Sequence, residues 1–163
     1  MKYDPKIHHR HSIRVPGYDY SQAGYYFITC TTHDRQNLLG EIIDGKMIEN
    51  RYGRIVHQTW RDLRNHYPEI ELDEFCVMPN HVHGIIVIKS TDQPRHPLSE
   101  VVRGFKSFSA RQINKINHTR GNPVWQRNYY EHIIRKETEF MNIRRYIQEN
   151  PQNWAKDEEN LSS

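Results

Sequence analysis

Three segments of the chain show the alternation and residue types of β-strands. Residues 25–33 (YYFITCTTH) are rich in aromatic and β-branched side chains, which favour strands. Residues 70–77 and 81–88 repeat this pattern on either side of the turn dipeptide Pro79-Asn80. The run GIIVI in the last segment is apolar at consecutive positions, so we expect a central strand covered on both faces.

Two further segments carry apolar residues at helical spacing. Residues 52–67 form an amphipathic pattern that Asn50 can cap and that Pro68 terminates. Residues 98–116 form another, with lysines and arginines outside the apolar stripe. Both segments are therefore predicted to be helices that pack on a sheet.

Shorter signals complete the secondary structure. Asp44-Gly45 predicts a hairpin between two short strands. Residues 125–134 (WQRNYYEHII) read as a strand, and Thr138 can cap a last helix that Pro151 ends. This order predicts an α+β domain in which helices cover one face of an antiparallel sheet, close to ferredoxin-like folds.

Composition restricts the class of protein. The chain has 163 residues, of which 36% are hydrophobic and 11% aromatic, so it suits one folded domain rather than a disordered chain. We expect one domain over 1–163, with an extension at about 1–20 and a flexible tail at about 155–163. Because we find no apolar span and no signal peptide, we expect a cytoplasmic protein without membrane contact. Cys30 and Cys76 lie in apolar runs and are predicted to be buried thiols.

Charge is unevenly distributed along the chain. The net charge is +3, but residues 95–145 contain eleven Lys and Arg against four Glu, a local excess of +7. A segment of this kind can neutralise several phosphates. The same pattern is also typical of an ordinary solvated surface, so charge alone leaves both interpretations open.

Two histidines occupy an unusual position. His81 and His83 begin the most apolar strand, and alternate residues of a strand point to the same face. Two imidazoles side by side can hold a divalent metal and leave positions open for a substrate oxygen. The alternative is a pair of structural histidines in the sheet.

The last predicted helix carries Tyr146 and Asn150, which lie one turn apart on the same side. Asn150 could offer its amide oxygen to a metal docked against the sheet, with Tyr146 beside it. A tyrosine next to an apolar helix stripe is, taken alone, most often part of the core edge.

The separated motifs together indicate a family. The segments MPNHVH at 78–83, WQRNYYEHIIR at 125–135 and YIQENP at 146–151 resemble the single-tyrosine HUH transposases of bacterial insertion sequences. The resemblance is strongest to the branch of REP-associated tyrosine transposases. The N-terminal RHSIRVPGYDYSQAGYYFITCTTHDR is also similar to that branch, so the resemblance covers about residues 10–154.

The resemblance implies a fold, a chemistry and a set of site residues. It implies a ferredoxin-like or RRM-like sheet and a homodimer that cuts and rejoins single-stranded DNA at hairpins through a 5′-phosphotyrosine. His81 and His83 would hold Mg²⁺ or Mn²⁺, Asn150 would be a third ligand, and Tyr146 would be the nucleophile. We expect basic side chains to hold the DNA, with the candidates Arg103, Lys106, Arg111 and Arg127.

Several alternatives remain open from the sequence. Tyr129 and Tyr130 are rival nucleophiles, although neither has an amide partner four residues later. A non-catalytic module could instead bind DNA or RNA hairpins on an RRM-like sheet, with Tyr25 to Phe27 and Tyr129/Tyr130 as stacking platforms. A histidine-triad hydrolase is disfavoured because residue 85 is isoleucine. His9 and His11 match nothing in the family and are expected at the surface or on DNA.

Overall fold

The computed structural model describes residues 23–90, 96–157 and 160, and His9 and His11 lie outside these ranges. The strands in them are β1 (Gly24–Thr31), β2 (Gly40–Ile43), β3 (Lys46–Glu49), β4 (Ile70–Met78), β5 (His81–Ile88) and β6 (Tyr130–Ile134). The α-helices are α1 (Arg51–His66), α2 (Leu98–Asn117) and α3 (Glu137–Glu149), and a 3₁₀ helix covers Pro151–Lys156. None of the helices in the described ranges has the length and apolar character needed to span a bilayer.

Four strands form one antiparallel sheet in the order β4-β5-β1-β6. The chain passes from β1 through the β2-β3 hairpin and α1 to β4, turns into β5, and returns through α2 to β6 beside β1. This is the ferredoxin-like connectivity, with a hairpin inserted after the first strand. The predicted α+β sheet with packed helices is confirmed.

The sheet buries both of its faces. On β1, Tyr26, Ile28 and Cys30 point into the core formed with α1 and α2. Phe27 points to the opposite face, where it joins Ile143 and other apolar residues of α3. The expectation that helices cover only one face was therefore wrong, because α3 has an apolar stripe of its own and packs on the second face.

Local signals behave largely as the sequence predicts. Asn50 Oδ1 accepts hydrogen bonds from the backbone N–H groups of Tyr52 at 2.9 Å and Gly53 at 3.0 Å, so it caps α1. Asp44 and Gly45 have φ angles of 52° and 73°, as the tight hairpin turn between β2 and β3 requires.

Two local predictions were wrong. The strand expected over 125–134 is reduced to β6, because the polar residues between Trp125 and β6 leave the sheet. Trp125 itself makes a single bridge to Thr32. Thr138 does not cap α3, since Lys136 occupies the cap position and the helix begins at Glu137. Acidic side chains in that first turn suit the positive end of the helix dipole.

The two cysteines are free thiols in the folded chain. Cys30 is fully buried and Cys76 is partly buried. Burial raises the pKa of each thiol to about 12, so both remain protonated at neutral pH.

Gly84→Ala tests how closely α1 packs on the sheet. A Cβ at Gly84 would clash with the ring of Trp60, which is itself stacked on Phe75 at 4.3 Å between centroids. We expect the variant to lose about 1–3 kcal/mol of unfolding free energy, measured by urea denaturation, because the Trp60 ring must shift. Gly24→Ala is the matched control, since its Cβ would make ordinary contacts at 3.6 Å. Equal stability of both variants would contradict this packing.

Candidate active site

His81 and His83 lie at the start of β5 and point to the face covered by α3. Their side chains are almost fully buried, with residue exposures of 0% and 1%. The pleat of β5 places the two rings side by side, and their Nε2 atoms are 3.1 Å apart. The structure therefore converts the HxH spacing into two converging imidazole nitrogens.

Neighbouring side chains fix the orientation of both rings. Asn80 Nδ2 donates to the carbonyl of Arg35 at 3.3 Å, which leaves Asn80 Oδ1 to accept a hydrogen bond from His81 Nδ1 at 2.9 Å. A neutral His81 thus presents the lone pair of Nε2 to the site. Thr29 Oγ1 lies 2.8 Å from His83 Nδ1 and holds the second ring.

Tyr146 reaches the histidine pair from α3. Its hydroxyl lies 3.5 Å from His83 Nε2, and the centroids of the two rings are 5.2 Å apart. The ring of Phe27 stands edge-on to Tyr146 at 6.3 Å and lies against His83 on the same face. The tyrosine and the histidines that meet in this site belong to the same chain.

Asn150 lies one helical turn beyond Tyr146, at the C-terminal end of α3. It is only 2% exposed, and its Oδ1 has no hydrogen-bond partner among the described residues. A buried acceptor without a donor costs stability, about 1–3 kcal/mol for a typical group. A cation beside this oxygen would remove that cost.

These donors fit a divalent metal. Two ligands about 2.1 Å from one ion at a right angle lie about 3 Å from each other, which matches the separation of the two Nε2 atoms. Within 23–90, 96–157 and 160, no three side chains drawn from His, Cys, Asp and Glu are grouped to hold an ion. Asn150 offers a different kind of donor, a buried amide oxygen without a hydrogen-bond partner among the described residues.

The C-terminal segment adds a residue that the sequence did not reveal. The ring of Trp154 lies 6.1 Å from that of His81, and Asp157 Oδ2 is 3.7 Å from His81 Nε2. The side chain of Asp157 is only 10% exposed. The polar stretch around Asp157 predicts a tail, whereas the aromatic Trp154 nearby is the sequence signal that this stretch packs.

The rival tyrosines differ from Tyr146 in their surroundings. Tyr130 is 2% exposed, and burial raises its pKa, which opposes phenolate formation. Tyr129 packs against the cluster on the other face of the sheet, and its hydroxyl donates to Glu131 Oε2 at 2.8 Å. The two residues thus face opposite sides of the sheet, as the strand pattern predicts.

The sheet faces are not available for stacking bases. Tyr26 and Phe27 are 0% exposed because helices cover both sides. Tyr25 alone of the three aromatics at 25–27 reaches the surface, at 44% exposure. Nucleic acid must therefore be held elsewhere than on an open RRM-like sheet.

The basic candidates lie along α2 and the loop that follows it. Arg103, Lys106 and Arg127 line a cavity of about 370 Å³ between the helix and this loop. Arg111 lines a second cavity, of about 480 Å³, at the end of α2. The other basic residues there are Lys115, His118 and Arg120.

Lys106 differs from the other candidates because its charge has partners within the protein. Its Nζ donates to the carbonyl oxygens of Gln126 at 2.6 Å and Arg127 at 3.0 Å. Burial lowers the pKa of this amine. Lys106 therefore fastens the loop to α2, whereas Arg103 and Arg127 are exposed.

A ferredoxin-like sheet with two strand histidines facing a helix tyrosine defines a class of protein, the single-tyrosine HUH domains. The comparisons with known proteins give the family. The sequence profile described as "Transposase IS200 like" matches residues 20–150. The chain belongs to this family of IS200-like transposases.

Individual relatives agree with this assignment. A Haemophilus influenzae protein described as uncharacterized is 39% identical, and the match covers 96% of each chain. A second H. influenzae protein, whose name assigns it provisionally to the REP-associated tyrosine transposases, is 26% identical over 82% of this chain and 73% of its own. The resemblance to that branch is thereby confirmed.

Solved structures share the fold. A REP-associated tyrosine transposase bound to a REP hairpin superposes with a TM-score of 0.63 at 20% identity, covering 85% of this chain and 73% of the other. A Deinococcus radiodurans protein provisionally named a transposase gives 0.52 at 22% identity, covering 83% and 95%.

Lys106→Met tests the structural role of this lysine. Removal of the ammonium leaves two carbonyl oxygens without their donor, so we expect a loss of about 1–3 kcal/mol in unfolding free energy, measured by urea denaturation. Arg103→Met is the matched control on the same helix and should change stability by less than about 0.5 kcal/mol. Equal losses in both variants would contradict the assignment.

Proposed function

We propose that this protein is a metal-dependent single-tyrosine nuclease and strand transferase that cuts single-stranded DNA next to a hairpin. The observation that carries the proposal is the 3.5 Å separation between the Tyr146 hydroxyl and His83 Nε2. This contact supports the proposal because a hydroxyl that can act as a nucleophile lies beside two buried imidazole nitrogens that can bind a metal. Membership in a transposase family supports DNA as the substrate.

Tyr146 is the nucleophile in the proposed reaction. Its phenol oxygen attacks the scissile phosphorus, and the bond from phosphorus to the 3′-oxygen breaks. The phenol gives up its proton to solvent, and the leaving 3′-oxygen gains one. The products are a 5′-phosphotyrosine and a free 3′-hydroxyl, and the retained phosphodiester allows a later rejoining step.

The phenolate needs stabilisation, because an ordinary tyrosine has a pKa of about 10. Mg²⁺ or Mn²⁺ held by His81, His83 and Asn150 would supply it by withdrawing charge from the phosphate and the attacking oxygen. Asn80 and Thr29 keep the imidazoles oriented for this task.

Arg144 and Arg145, which precede Tyr146 in the sequence, contribute little to stabilising its phenolate. Arg144 pairs with Asp73 Oδ2 at 3.0 Å and Glu74 Oε1 at 3.3 Å, so two carboxylates already balance its charge. Arg145 is exposed on α3. The proposed site therefore depends on the metal rather than on a neighbouring arginine.

The basic surface of α2 is the proposed binding surface for the DNA hairpin. Trp125 bridges to Thr32, and the adjacent Thr31 pairs with His81, so the groove lined by Arg103 and Arg127 lies near the histidine end of the sheet. From Arg103 to Arg111 the helix rises about 12 Å, enough to contact successive phosphates. Lys106 contributes chiefly by holding this loop in place.

Tyr146 faces the histidines of its own chain, which supports a site formed within one subunit. The homodimer implied by the resemblance would then serve DNA binding or the pairing of two cut ends. A cytoplasmic location is part of the same proposal.

Tyr146→Phe is the primary test. The variant should still shift a labelled hairpin on a native gel, because it removes only one oxygen atom. It should form no covalent DNA adduct on a denaturing gel with Mg²⁺ or Mn²⁺, and the wild-type adduct should map to Tyr146 by peptide mass.

Two controls accompany that test. Tyr130→Phe should keep the adduct, whereas His83→Ala or an added chelator should abolish it. An adduct that persists in Tyr146→Phe would overturn the nucleophile assignment. Hairpin binding without an adduct in the wild-type protein under any metal would favour a non-catalytic hairpin-binding module.

Charge-removing variants test the binding surface. Arg103→Gln and Arg111→Gln should each weaken hairpin binding and reduce the slope of log K against log salt concentration by about 0.9, since each removes one phosphate contact. Arg64→Gln on α1 removes the same charge away from the groove and serves as the control. The affinity for the hairpin is measured by fluorescence anisotropy. If all three variants weaken it equally, the protein attracts DNA only through its overall charge, and the proposed binding surface is wrong.

A further inference from the structure

Asp157 places a carboxylate against the histidine pair. Its Oδ2 lies 3.7 Å from His81 Nε2, and the 3₁₀ helix Pro151–Lys156 leads directly from Asn150 to this position. The carboxylate is largely shielded from solvent, with its side chain 10% exposed. The segment is held locally, because Asn160 donates hydrogen bonds to the carbonyls of Asp157 and Trp154.

The atoms that converge at this point are electron-rich. Asn80 Oδ1 accepts a hydrogen bond from Nδ1 of His81, so in a neutral ring the lone pair is on Nε2, which lies near both His83 Nε2 and the carboxylate. Asn150, which directly precedes the 3₁₀ helix, has a buried Oδ1 without a hydrogen-bond donor among the described residues. Lone pairs and a shielded negative charge brought together in this way favour a cation at the site.

The negative potential extends to a neighbouring strand. Asp157 and Glu74 both contribute to raising the pKa of Cys76 on β4, after the dominant effect of burial. Arg144 balances Glu74. Asp157 is thus the carboxylate placed closest to the histidine nitrogens by the described contacts.

We propose that Asp157 is a positioning residue that raises the affinity of the histidine pair for a divalent cation, and so couples the C-terminal segment to metal loading. This inference rests on the metal-dependent function proposed above. The carboxylate acts by its charge on an ion held by His81, His83 and Asn150, and need not ligate it.

The test is Mn²⁺ binding by the full chain without DNA, measured from the electron paramagnetic resonance signal of free Mn²⁺. Asp157→Asn keeps the size of the side chain and removes its charge, and it should weaken Mn²⁺ binding by about tenfold, as changes around metal ligands commonly do. Asp157→Glu keeps the charge and should restore most of the affinity. Asp62→Asn on α1 is the matched control and should leave the affinity unchanged.

The outcomes separate this inference from the function on which it rests. Unchanged Mn²⁺ affinity in Asp157→Asn would overturn the inference, and so would tighter binding, which would mean that the carboxylate competes with the cation. If His83→Ala abolishes Mn²⁺ binding, neither of these two results contradicts the proposed function. A wild-type chain that binds no Mn²⁺ would contradict the metal-dependent function itself.

Discussion

The structure depends on the alternation of side chains along β5. One face of this central strand carries Val82 and Ile86 into the core under α1 and α2, while the other presents His81 and His83 beneath α3. The strand is hydrogen-bonded on both sides, to β4 and to β1, so its register cannot shift without disrupting both pairings. The same constraint that builds the core therefore fixes the two imidazoles.

The helix α3 combines two tasks that are usually separate. Ile143 and Ile147 bury its apolar stripe against the second face of the sheet. This packing sets the rotation of the helix, and thereby brings Tyr146 to within 3.5 Å of His83. The position of the proposed nucleophile consequently depends on hydrophobic contacts that take no part in the chemistry, as expected for a site that needs a rigid support.

The molecule separates its charges by function. Exposed arginines lie along α2 and the loop after it, where Lys106 is used to fasten the loop. Asp157 Oδ2 lies 3.7 Å from His81 Nε2 and is shielded from solvent, and Asn150 is buried at the C-terminal end of α3. A polyanion would be attracted to the exposed arginines along α2. A cation at the histidine pair would offset the repulsion between a substrate phosphate and the electron-rich atoms of that site.

Local signals such as strand periodicity and the Asn50 cap predict most of the elements and the ferredoxin-like class, and the three separated motifs indicate the family by resemblance. The sequence also indicates the candidate residues His81 and His83 on β5, and Tyr146 and Asn150 on α3 and at its end. Tertiary structure alone decided that α3 covers the second face and that Lys106 holds a loop. It also decided that Asp157, assigned to a tail, faces His81. These features arise from contacts between segments far apart in the chain, which no local periodicity encodes.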